Sequence, residues 1–255
     1  MNKRKLLNAA IGTALLTTAS FAQADMILGL YAGGQIWNVE PEGSFDKNGD
    51  DFQGSFDFDS DTQGTLYVAL EHPIPLIPNV KLRQTDLEVK GTGEITGELF
   101  GQPYSGTTNV MGDLSHTDYT LYYEIFDNGL VSFDFGITVK DIDANIQADG
   151  ESDASSRSTT NESFSGYVPM GYVAAEIGLP FTGLSVYGDV NMLAIGDHSL
   201  VDYQVGVAYA LLDNIAVDLD VQLGYRSFSL KLDDLDDINT DLDFSGVYAG
   251  LEVHF

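Results

Sequence analysis

From Val131 to Lys140 the chain alternates strictly. Val131, Phe133, Phe135, Ile137 and Val139 are apolar, and Ser132, Asp134, Gly136, Thr138 and Lys140 stand between them. The same period of two runs through Val201, Tyr203, Val205, Val207, Tyr209 and Leu211, and through Ile215, Val217, Leu219, Val221, Leu223 and Tyr225. Leu184, Val186, Val190 and Met192 repeat it. Successive side chains of a strand point to opposite faces, so each segment has one apolar face and one polar or small face. A soluble β-sandwich would alternate in the same way. Three further features favour a membrane barrel. The segments are about ten residues or longer, the span a tilted strand needs to cross a bilayer. Tyr and Phe recur near segment ends, where an aromatic girdle would sit, and short connections alternate with long ones.

Turn signals divide the chain into strands near residues 26–37, 64–72, 80–93, 117–126, 130–141, 164–178, 184–194, 199–211, 215–231 and 242–255. The tight connections are His72–Asn79, Asp127–Gly129, Leu179–Gly183 and Asp213–Asn214; the longer stretches are Asn38–Gln63, Glu94–His116, Ile142–Ser163 and Leu232–Asp241. The prediction is an all-β fold: a single transmembrane antiparallel β-barrel of ten strands, with short periplasmic turns and long acidic extracellular loops. Eight strands is the alternative, if two segments are loop extensions.

The two ends add an address. Lys3-Arg4-Lys5, the short apolar run Leu6–Leu16 and Ala22-Gln23-Ala24 follow one another as the three parts of a secretory signal peptide. Residues 1–24 are therefore expected to be removed, leaving 25–255 as the barrel. At the other end Val247, Ala249, Leu251 and Val253 form an apolar ladder that finishes on Phe255. This resembles the terminal strand of bacterial outer-membrane barrels, which the barrel-assembly machinery reads during insertion, and it makes Phe255 the candidate assembly signal. The expected location is the outer membrane, with its lipid and lipopolysaccharide as neighbours.

Composition narrows the chemistry. The 255 residues contain no cysteine, which removes disulfides, thiolate metal sites and cysteine nucleophiles. Eleven Lys and Arg stand against 39 Asp and Glu, a formal charge of −28. Nucleic acid is an unsuitable partner for such a chain, because phosphate binding needs clustered cations.

Leu28-Gly29-Leu30-Tyr31-Ala32-Gly33-Gly34 with Trp37, and Tyr67-Val68-Ala69-Leu70-Glu71-His72-Pro73 with Pro75, Pro78 and Asn79, are further landmarks. They resemble a poorly characterised family of proteobacterial outer-membrane proteins described by a Gly-Gly motif in the first strand. The resemblance implies an outer-membrane barrel and supplies no established activity. Physically, Gly33 and Gly34 suit a bend in the wall or the close approach of another group.

Candidate chemistry is sparse. Asp46-Lys47-Asn48-Gly49-Asp50 resembles the start of a calcium loop, with Asp46, Asn48 and Asp50 as oxygen ligands. Asp51 then replaces the expected Gly, and Asp57 stands where Glu belongs. Otherwise no cofactor is expected beyond Ca²⁺ or Mg²⁺ gathered at acidic loops. Omptin proteases place an Asp pair and an Asp/His pair at the outer rim to activate a water. Asp57-Phe58-Asp59 and His116-Thr117-Asp118 have suitable i,i+2 spacing, but the His/Asp order is reversed. A rim hydrolase is thus the alternative to the favoured reading, a non-enzymatic envelope protein with a structural, surface-contact or narrow solute-passage role. Finally, Glu71, Glu124, Glu176 and Glu252 lie near the periplasmic ends of strands with inward parity. Lys81 and Arg83, at the same level, and Arg226, higher up, are the cations expected to tie them into a network that closes the lumen, with Arg83 as its keystone.

Overall fold

The computed structural model describes residues 28–47, 53–153, 156–214, 217–235 and 238–255. The signal segment 1–24 lies outside them, as do Asn48 and Asp50 and the side chain of Asp46. Among the described residues every regular element is a strand. Ten of them close a ring: β1 (Gly29–Lys47), β3 (Asp61–Glu71), β4 (Asn79–Thr85), β7 (His116–Asp127), β8 (Val131–Asp153), β9 (Ser156–Leu179), β10 (Leu184–Ile195), β11 (His198–Leu212), β12 (Asp218–Leu235) and β13 (Ile238–His254). Each pairs antiparallel with the next, and β1 pairs β13 to complete the circle. The other three strands, β2 (Phe56–Phe58), β5 (Glu88–Leu99) and β6 (Gln102–Asp113), form a lobe at the extracellular end. In that lobe β2 pairs β5, β5 pairs β6, and β6 pairs the upper part of β8.

The ten-strand count holds, with one correction. The strand expected over 80–93 is two elements. β4 ends at Thr85, and the chain turns out of the wall before β5 begins. The break is fixed locally: the Asp86 amide donates to the Gly64 carbonyl, and the Leu87 amide donates to the Ser115 hydroxyl. The stretches expected as loops are also largely strand, since β8 and β9 stay paired from the periplasmic turn up to Asp153 and Ser156.

The physical logic is an inversion of pattern along each tall strand. In lower β8 the apolar Phe135 and Ile137 face outward, 53% and 58% exposed, while Thr138 and Lys140 face the lumen and are buried. Above Lys140 the parity of apolar residues reverses, so that Ile142, Ala144 and Ala148 point inward and Asp143 points out. β1 switches in the same way, from outward Ile36 to inward Trp37 and Val39. A surface in lipid must be apolar and can enclose polar groups, whereas a surface in water must be polar and encloses apolar ones. The switch marks the outer membrane boundary. Above it, Trp37, Leu87, Leu114, Met170, Leu200, Phe228 and Phe244 join residues of the β5–β6 hairpin in one apolar core over the lumen.

Gly33 and Gly34 form no kink. β1 runs in unbroken register past both, against β3 and β13. A Cβ on Gly33 would lie 2.2 Å from the ring of Tyr67, so this glycine makes room for an inward tyrosine.

Candidate functional site

The lumen is filled in three layers. At the periplasmic mouth lies a vestibule of about 370 Å³ into which Glu71, Glu124, Glu176 and Glu252 all project, together with Lys81 and Asp134. The Tyr67 hydroxyl donates to Glu252 at 2.6 Å and the Tyr122 hydroxyl to Glu71 at 2.7 Å. The four glutamates thus share one mouth, but neither Arg83 nor Arg226 is bonded to them. The cation nearest in kind is Lys81, whose ammonium lies 5.4 Å from the centre of the Tyr67 ring and 5.9 Å from that of Tyr172.

Both arginines belong to the layer above. Arg83 stands two residues further up β4 than Lys81, and at that height its partner is Asp189 of β10, reached at 2.9 and 3.1 Å. Gln204 completes the cluster by donating to the same carboxylate. Arg226 grips Asp202 through two nitrogens at 3.0 and 2.8 Å, and its remaining nitrogen reaches the hydroxyls of Thr65 and Thr85. Lys140, fully buried, spans Asp118 at 2.8 Å and Asp202 at 3.0 Å. A second polar chain runs from Thr120 to Thr138 to Asn191. Charges this deep are tolerable only when paired and hydrogen-bonded, and here each cation has a carboxylate of its own or shares one.

His116 also faces this layer. Its Nδ1 lies 3.0 Å from the Leu114 carbonyl, which can only accept, so that nitrogen carries a proton and donates. Nε2 stands 3.9 Å from Asp202 and has no hydrogen-bond partner among the described residues. His116, Asp118 and Asp202 could converge on a cation, their ligand atoms lying within 4.8 Å of one another. The Lys140 ammonium already sits between the two carboxylates.

The third layer is the apolar core. The Phe228 ring stacks on His116 at 5.2 Å and packs against Phe244, while the Trp37 ring covers the Arg226 guanidinium at 4.9 Å. His116 and Asp118 are therefore roofed over and withdrawn from the rim. Asp57 and Asp59 are exposed in the outer lobe, where Asp57 pairs with Thr92. The two pairs proposed for rim hydrolysis are not assembled into one site.

Sequence reading missed Lys140, Asp189 and Asp202 as members of the network. Each was legible as a charged residue of inward parity on an apolar-outward strand. What it lacked was the stagger between distant strands, which decides that Arg83 meets Asp189 and not a glutamate.

The outer membrane protease OmpT from Escherichia coli superposes on the chain with a TM-score of 0.54 at 8% identity, over 89% of this chain and 97% of that one. The outer membrane protein OprG from Pseudomonas aeruginosa matches at 16% identity over 89% and 95%, with a TM-score of 0.35. Neisserial surface protein A matches at 12% identity over 89% and 97%, with a TM-score of 0.30. No family model matches the chain, and no curated protein does. At such identities the likeness is one of fold. The chain is a ten-stranded antiparallel β-barrel of the bacterial outer membrane.

Proposed function

We propose that this barrel is a non-enzymatic envelope protein, a sealed mount that holds an acidic lobe at the cell surface. The observation that carries the reading is the stacked filling of the lumen. Paired charges fill the membrane level and the apolar core closes the outer end over them. A barrel of about eight strands is already filled by side chains, and ten strands leave little more room. Structural support and surface contact fit this filling better than solute passage does. On Gly33 and Gly34 we also read the chain as a member of the outer-membrane family described by a Gly-Gly motif. Its partners in this reading are the surrounding lipid and lipopolysaccharide, whose phosphates and the lobe's carboxylates both attract Ca²⁺ or Mg²⁺.

A rim hydrolase remains the rival class, and the fold likeness to OmpT is its support. Incubating the folded barrel in lipopolysaccharide-containing micelles with a quenched fluorogenic peptide library separates the two. The proposal expects no turnover above a detergent blank. Cleavage abolished by His116→Ala or Asp118→Ala would replace it with the hydrolase.

A further inference from the structure

We propose that the periplasmic vestibule is a binding site for small primary alkylammonium cations, the chemistry of linear diamines and of lysine side chains. Four observations meet there. Nine carboxylate side chains line the cavity against one lysine, and Arg83 neutralises only Asp189 among them. The excess of negative charge is held inside a concave, low-dielectric wall that focuses it. Acidity alone would describe any cation, so the remaining three observations decide the class.

The first of these is an unpaired acceptor. Gln204, only 6% exposed, lines the vestibule and spends its amide nitrogen on Asp189. Its Oε1 has no hydrogen-bond partner among the described residues. A buried acceptor left unmade is costly, and this one calls for an N–H donor. The second is the aromatic wall. Tyr31, Tyr67, Tyr122, Tyr172 and Tyr187 all border the cavity, and aromatic faces attract ammonium groups. The chain itself supplies an instance, because the Lys81 ammonium lies over the rings of Tyr67 and Tyr172.

The third is the spread of the acids. Among the described residues the trio whose ligand atoms converge is His116, Asp118 and Asp202, which is outside the vestibule. Ca²⁺ and Mg²⁺ need oxygens gathered on a point. Carboxylates placed around a wall, with a neutral acceptor and aromatic faces between them, suit a cation that carries several separate N–H donors on an apolar stem. At about 370 Å³ the cavity falls in the range of small-molecule sites, roughly 300–1,000 Å³.

The test is titration calorimetry on the whole folded barrel in zwitterionic micelles at physiological ionic strength. The probes are pentanediamine, spermidine, Nα-acetyl-lysine amide and MgCl₂. Saturable binding of the diamine is expected, weakened by about tenfold or more when Glu71→Gln and Glu252→Gln are combined. Gln204→Leu, which changes no charge, should weaken it too. Heat-shifted gel migration verifies that each variant is folded. If the lysine amide binds as tightly as the diamine, the source is a peptide side chain; if only the diamine and spermidine bind, it is a free polyamine. Absence of saturable heat overturns the proposal. So does heat insensitive to Gln204→Leu, or displacement by an equal concentration of Mg²⁺, because either means charge screening without a site.

Discussion

At the residue scale the lumen is governed by what a buried group can reach. Gly33 is small because the Tyr67 ring lies where its Cβ would be, and that ring delivers a hydroxyl to Glu252. Gly33→Ala should push the ring aside and cost about 1–3 kcal/mol, the range for overpacking a filled interior. Urea titration of the refolded barrel measures it, and an unchanged midpoint would mean that Tyr67 has somewhere else to go. Lys140 carries a larger stake, since it is the ammonium shared by Asp118 and Asp202. Lys140→Met leaves Asp118 buried without its cation and should cost about 3–5 kcal/mol. Adding Asp118→Asn removes the stranded charge, so the double variant should be more stable than the single one. Strictly additive losses would show that the two residues do not act as a pair.

At the element scale the alternation was legible and its inversion was the unused signal. Strand positions followed from period two together with the turn signals, because each membrane-level strand shows lipid a continuous apolar face. The departure of the hairpin at Thr85 was legible too, in the shift of apolar residues from Val80 and Leu82 to Leu87 and Val89. A strand that changes the parity of its apolar residues is changing solvents, and here it leaves the wall altogether. The network was less legible. Inward parity named Arg83, Arg226 and the glutamates, yet it carries no heights, and pairing across the lumen depends on strand stagger. The hairpin's role is directly testable. Deleting residues 88–113 strips Val89, Ile95, Leu99, Tyr104 and Val110 from the apolar core. The ten wall strands should still close, while the melting temperature falls by about 10 °C or more, given roughly 1.5–3 kcal/mol for each large apolar side chain. Calorimetry showing no loss would mean that the lobe is not part of the seal.

At the scale of the whole molecule the chain makes two environments from one wall. Lipid-facing strands enclose a polar lumen, and their extensions into water enclose an apolar core. The seam where the ring closes is held by β1 and β13, and Phe255 exchanges both backbone hydrogen bonds with Leu30 there. A side-chain change such as Phe255→Asp leaves those bonds available. On the proposal that Phe255 is an assembly signal, it should therefore reduce insertion in cells, while refolding from urea into micelles proceeds as before. Equal loss in both assays would make Phe255 a structural residue and not a signal. The sealed lumen is the claim on which the rest depends. Conductance of the folded chain in planar lipid bilayers tests it most directly. Current should stay at the level of the bare membrane, without discrete steps, and long-lived cation-selective steps would contradict it.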